Sequence, residues 1–278
     1  MAVMVDSLGE ATSHWGVAPD KVWPEQVANQ LRLYATTVPI KCRNFGIGGN
    51  TSSMMLARFA VMTKYEVPDI AFLYAGANDR PTEMTVQNGA TTTVIPLAAG
   101  GGALAEVGGY VSIGGQIRKV ISRATDTITL ESALAGAPAN GSAAYCATQR
   151  NLYEMAKLLK AAGCNRVVII GQHYKNWTAG GDTAVSEETY YGICRVAQQA
   201  AVADCLANNP PIDALYINTY SYQRSLIVAA VRFTQGDNKF HAVADNQHLA
   251  IDGHTTIQEA VMAGIVANKP EWLTSLAT

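Results

Sequence analysis

Short, wholly apolar runs alternate along this chain with stretches whose apolar residues recur every three or four positions, which predicts strands and helices in turn. Residues 1–5 form an apolar run that delivers Asp6 and Ser7 at its C-terminal end. Residues 23–33 have apolar positions at helical spacing, with Pro24 near the start, where a missing N–H costs least. Residues 40–45 read as a second strand and 51–65 as a helix that follows a glycine-rich turn. A third strand, 69–75, runs into Gly76-Ala77-Asn78-Asp79. The order β-α-β-α-β is that of a parallel sheet with helices on its faces.

That rhythm stops after Arg80-Pro81. Residues 82–147 are rich in Gly, Thr, Val and Ala, and carry short alternating runs at 109–113, 116–121 and 126–131, separated by Gly-Gly and Ala-Pro-Ala-Asn-Gly turn chemistry. This segment reads as a small β-barrel or β-sandwich inserted into the α/β domain. Helical spacing returns at 149–162, and 166–170, Arg-Val-Val-Ile-Ile, suits the middle of a parallel sheet. A helix over 187–208, a strand at 214–218, a long irregular passage and a closing helix near 255–267 complete the pattern. The expected domains are therefore a discontinuous α/β domain, 1–81 with 148–278, and the inserted module, 82–147.

Composition narrows the choices without naming a function. At 278 residues, 49% of them hydrophobic and 15% charged, the chain has the profile of a folded globular protein. The net charge is −2, and no basic run or basic amphipathic stretch is present, so neither nucleic acid nor a membrane is the expected partner. Cys42, Cys146, Cys164, Cys194 and Cys205 lack C-x-x-C spacing, which argues for buried thiols over a zinc site or disulfide framework. No apolar run approaches the roughly 18 residues of a transmembrane helix, and no signal sequence is recognised, so a soluble chain is expected. Oligomeric state is not legible.

Candidate chemistry lies at the strand ends. In open α/β sheets ligands bind beyond the carboxyl ends of the strands, the edge that Ser7, Gly49 and Asn78 would share. Ser7 is a nucleophile or a helix cap; the G-x-S-x-G elbow of α/β-hydrolases is missing around it. Asp245 and His248 are three positions apart, close enough for the carboxylate to orient the imidazole, or they form a plain surface turn. Gly49 and Asn78 either serve tight turns or supply a backbone and a side-chain N–H to a developing oxyanion. His173 and Arg80 are candidate substrate contacts, with a hydrogen-bonded core histidine and a solvated arginine as the plainer readings.

Taken in order, V-D-S-L at Ser7, G-I-G-G-N-T at Gly49, G-A-N-D at Asn78 and D-N-Q-H at His248 resemble the four blocks of the SGNH hydrolases, also called GDSL esterases and lipases. The resemblance covers about 1–80 and 148–270, and departs at Val5, where the family usually has glycine, and at Leu249, where it often has proline. It implies a three-layer α/β/α, flavodoxin-like parallel sheet. It also implies Ser7 as nucleophile, His248 as base with Asp245 behind it, and an oxyanion hole from Ser7, Gly49 and Asn78. No cofactor and no metal are implied.

The inserted segment, with Gly-Gly-Gln-Ile-Arg-Lys-Val at 114–120 and Ile-Thr-Leu-Glu-Ser-Ala-Leu at 128–134, resembles small β modules of phage-tail and cell-surface proteins. The expected function is therefore hydrolysis of short acyl esters, with an acetylated carbohydrate as substrate, in an extracellular or virion-associated setting. Tyr110 and Arg118 are candidate contacts in the insert. Alternatives are a lipase or thioesterase for longer chains, a non-catalytic glycan-binding module of the same fold, and a metal-dependent hydrolase using His241, Asp245, His248, Asp252 and His254.

Overall fold

The apolar runs read from the sequence assemble into one parallel sheet. The computed structural model describes residues 1–5, 9, 17–35, 39–64, 66–79, 84–164, 166–174, 184–228, 232 and 248–276, and of 184–190 and 227–228 the backbone only. The first half of the α/β part contains β1 (Ala2–Val5), α1 (Trp23–Arg32), β2 (Arg43–Asn44), α2 (Ser52–Ala57), α3 (Ala60–Thr63) and β3 (Ile70–Tyr74). The antiparallel region follows: β4 (Met84–Thr85), β5 (Val94–Pro96), α4 (Gly101–Leu104), β6 (Tyr110–Ile113), β7 (Gln116–Ala124), β8 (Thr127–Leu130) and β9 (Ala143–Cys146). The second half holds α5 (Thr148–Ala162), β10 (Arg166–Ile170), α6 (Ala184–Ala207), β11 (Asp213–Ile217), α7 (Thr219–Val228), α8 (Ile251–Asn268) and α9 (Pro270–Thr274).

The parallel sheet has the order β2-β1-β3-β10-β11. Its inner strands, β1, β3 and β10, are buried on both faces, so successive residues serve different helices. Val3 and Val5, Phe72 and Tyr74, and Val168 and Ile170 pack with α1, α8 and α9, around Trp23, Val27, Leu31, Ile257, Val261 and Trp272. Ala2 and Met4, Ala71 and Leu73, and Val167 and Ile169 face α2, α5 and α6, against Met55, Leu152, Met155 and Ala201. Period-two alternation inside apolar strands thus produces three layers. The expected α/β/α architecture is present.

Within the inserted segment the six strands run in the order β4-β9-β6-β7-β8-β5. The two edges meet: Val86 bridges Leu97, Gln87 N–H donates to Pro96 O at 2.8 Å and Ala98 N–H to Thr85 O at 2.8 Å. The sheet closes into a small barrel around Val86, Ile95, Val111, Val120, Ile128 and Ala144, removing the exposed edges that would invite pairing with another chain.

Three polar latches bind the barrel to the core. Thr51 Oγ1 donates to Leu104 O at 2.9 Å, and Ser53 Oγ accepts from Glu106 N at 3.0 Å. Buried Asn151, on α5, accepts from Tyr110 N at 2.8 Å and donates to Ser52 Oγ at 2.9 Å.

Several elements differ from expectation. The helix expected over 51–65 is broken at Arg58-Phe59 into α2 and α3, and the strand expected over 40–45 shortens to a two-residue edge that pairs only with Ala2 and Val3. Helix α7 was not anticipated, because Thr219-Tyr-Ser-Tyr222 reads as poorly helical. None of the five cysteines forms a disulfide, and no described helix is long and apolar enough to cross a membrane.

Candidate functional site

The strand order reverses at β1. From there the chain crosses to β2 on one side, and β3 and the later strands lie on the other, which makes the carboxyl ends of β1 and β3 the switch point where open α/β sheets bind ligands. Val5 pairs with Tyr74, so the segment carrying Ser7 and the turn carrying Asn78 leave adjacent strands side by side. Ser7 itself lies outside the described residues, as do Arg80, His241 and Asp245.

The turn after β2 is drawn to the same edge. Ile47 N–H donates to Val5 O at 3.1 Å, and Asn44 Nδ2 donates to Gly9 O at 2.6 Å, gripping the chain just past Ser7. Gly49 has φ +75°, in the left-handed region that a side chain disfavours, and no atom of the other described residues lies within 4 Å of the place of a Cβ. Asn78 Nδ2 donates to Asn50 O at 3.1 Å, so the two candidate oxyanion donors belong to contacting turns.

Asp79 fixes the geometry behind them. Its Oδ1 accepts from Ser52 N at 2.7 Å, at the start of α2, and its Oδ2 from Thr148 Oγ1 at 2.6 Å, at the start of α5. Burial raises its pKa, and the bonds from Ser52 and Thr148 oppose that shift. Gln198, from α6, accepts from Gln172 N at 2.8 Å and donates to Ala75 O at 2.6 Å, tying the ends of β3 and β10. Sequence reasoning missed Gln198 and Asn44, since neither stands out until the strand ends are adjacent.

His248 is buried and precedes α8. In the first turn of that helix, His254 Nδ1 accepts from the Trp23 backbone N–H at 3.4 Å, which links the segment bearing His248 to the start of α1. Burial, with a smaller contribution from His248, pushes the His254 pKa down to about 3. Trp23 also packs against Gly9, where a Cβ would come within 2.6 Å of its Nε1. Through Trp23 the two ends of the chain meet at one strand edge.

His173 lies at the end of β10 with no exposed surface. Its Nδ1 is 2.8 Å from Tyr74 Oη and 3.3 Å from Gln172 Nε2, and its ring tilts against Tyr191. In the barrel, Arg118 donates to Ala133 O and Gln116 Oε1, while Arg150 lies over the Tyr110 ring. Among the described residues no group of three or more His, Cys, Asp or Glu could hold a metal ion.

No protein-family model and no curated protein matches the sequence. Solved structures do match it over nearly their whole length. A lipase/acylhydrolase from Enterococcus faecalis is 17% identical, with a TM-score of 0.52 over 96% of this chain and 94% of that one. The acetylxylan esterase Axe2 from Geobacillus stearothermophilus is 14% identical, with a TM-score of 0.53 over 95% and 92%. A psychrotrophic esterase, EstA from Pseudoalteromonas sp., solved with monoethylphosphonate as inhibitor, is 13% identical, with a TM-score of 0.50 over 96% of each chain. At such identities the likeness is one of fold: a three-layer α/β/α architecture shared with these lipase and esterase structures, here carrying an inserted barrel.

Proposed function

From the fold shared with these lipase and esterase structures, we propose that this chain is a serine esterase that works through an acyl-enzyme. His248 takes the proton of Ser7 Oγ as the oxygen attacks the ester carbonyl, and Asp245 orients the imidazole and stabilises its cation. Negative charge collects on the carbonyl oxygen, which receives N–H groups from Ser7, Gly49 and the Asn78 amide. The tetrahedral intermediate collapses, the C–O bond to the alcohol breaks, and His248 returns the proton to the leaving oxygen. A water molecule then repeats the attack, with His248 as base, and releases the acid and free Ser7.

The observation that carries this reading is the bond from Asn78 Nδ2 to Asn50 O, beside Gly49. It holds an amide and a glycine turn together at the β1–β3 switch point, where the segment bearing Ser7 emerges. Short acyl esters of a carbohydrate are the substrate class we favour, with Arg80 as a candidate contact; the name of the acetylxylan esterase Axe2 points the same way, while His173, buried and bonded to Tyr74, takes the plainer reading of a core histidine. Turnover of p-nitrophenyl acetate tests the chemistry: Ser7→Ala should abolish it and prevent labelling by a fluorophosphonate, with the far-ultraviolet circular dichroism unchanged. Residual turnover in that variant would refute the assignment. Labelling also separates an esterase from a non-catalytic glycan-binding module, which would leave the serine unmodified.

A further inference from the structure

The turn that carries Gly49 is tied to α2 by a side chain that the acyl-enzyme chemistry leaves unused. Arg58, where α2 ends, reaches back eight positions along the chain, and its Nε donates to Asn50 Oδ1 at 2.7 Å. Asn50 stands between Gly49 and Thr51, the residue that caps the start of α2. Its N–H donates to Ile47 O at 3.3 Å, closing the turn, and its carbonyl accepts from Asn78 Nδ2 at 3.1 Å. One residue therefore joins the guanidinium to the amide.

Arg58 is half-buried, and its Nη2 is enclosed without a hydrogen-bond partner among the described residues. Withholding a charged N–H from water is unfavourable, so the side chain is kept there by what Nε gains, a charge-assisted bond in surroundings drier than solvent. A guanidinium with no task at the turn would swing out to water.

We propose that Arg58 is a positioning residue for the oxyanion hole, acting through Asn50 on Gly49 and Asn78. The inference rests on the esterase reading and deepens it. A primary amide nitrogen carries two hydrogens, and one of those on Asn78 is engaged by Asn50 O. That bond fixes the amide plane, and with it the direction of the second N–H, the one that meets the oxyanion. Gly49, with φ +75° and no side chain, leaves its stretch of backbone free to tilt, and a tilt there carries the Asn50 carbonyl with it. The Arg58 bond removes that freedom by anchoring Asn50 to a helix. Oxyanion donors are effective when they are aimed before the charge develops, which is what the anchor provides.

The test measures p-nitrophenyl acetate hydrolysis by the whole chain as wild type, Arg58→Met, Arg58→Lys, Asn50→Ala and the double variant Arg58→Met with Asn50→Ala. Loss of a whole oxyanion donor lowers kcat about 10²–10³-fold, so misaiming the donors in Arg58→Met should lower it about 10–100-fold, with KM within about twofold of wild type. Arg58→Lys, whose ammonium can still donate to Asn50 Oδ1, should recover most of kcat. Asn50→Ala should match Arg58→Met, and the double variant should be no slower than the slower single one, because both changes break one chain of bonds. Rates are taken per folded molecule and well below the melting temperature, so a loss of stability alone leaves kcat unmoved. Wild-type kcat in Arg58→Met or Asn50→Ala, a lysine variant as slow as the methionine, or single effects that multiply in the double variant overturns the proposal while the esterase reading stands. If Arg58→Met does not fold, Asn50→Ala decides by the same margin. A wild type that hydrolyses no ester refutes the esterase reading, and this proposal with it.

Discussion

Protonating His254 would destroy the acceptor that holds the Trp23 N–H, and burial keeps that ring neutral to about pH 3 against an ordinary value of 6.5. Between those two values the unfolded chain binds a proton that the folded chain refuses, so stability is full above pH 6.5 and falls as the pH drops toward 3. At 1.36 kcal/mol per pH unit the loss at pH 4.5 is on the order of 2–3 kcal/mol. Urea unfolding at pH 7.5 and 4.5 should show it as a pH-dependent difference between wild type and His254→Asn, whose amide oxygen can accept the same bond without titrating; parallel curves would exclude this role. The same residue shows where sequence reasoning stops. The turns that carry Gly49 and Asn78 are legible in the local sequence, whereas Trp23 and His254 are 231 positions apart and leave no local pattern.

Elements were legible in proportion to how far local spacing alone determines them. β10 was read at its full extent because both faces are buried, and α5 within a residue because Leu152, Met155, Ala156 and Leu159 repeat at helical spacing. The break between α2 and α3, and the whole of α7, depend on neighbours that local spacing does not encode. How barrel and core meet is equally non-local. At Gly109, between α4 and β6, a Cβ would stand 2.8 Å from Ser53 Cα, so rotating the serine side chain could not relieve it. Gly109→Ala should therefore lower the melting temperature by about 2–10 °C, through overpacking worth about 1–3 kcal/mol, as read by differential scanning calorimetry. Gly89→Ala isolates a different cost: the place of its Cβ is open but its backbone is left-handed, φ +86°, unlike that of Gly109, so only the conformational penalty applies.

Taken whole, the molecule has its most protected part at β3. That strand pairs with β1 on one side and β10 on the other, and its five residues are buried. Hydrogen exchange should be slowest there and much faster at β2, an edge strand of two partly buried residues. Comparable protection at β2 and β3 would contradict this layering. The parallel sheet was legible at this scale because β-α-β order restricts the topologies available, whereas barrel and sandwich stayed open for the insert, because closure rests on one bridge, Val86 to Leu97, beside two very short strands.

The bond from Thr148 to Asp79 has a consequence for how such a protein can diversify. It clasps the last residue before the chain departs for the barrel to the second residue after β9, so the points of departure and return are neighbours. A segment hung between such points is a cassette: lengthening, shortening or replacing it asks little of the sheet, since the distance to be spanned stays fixed by the core. The barrel can then be exchanged while the turn that bears Asn78 keeps its place.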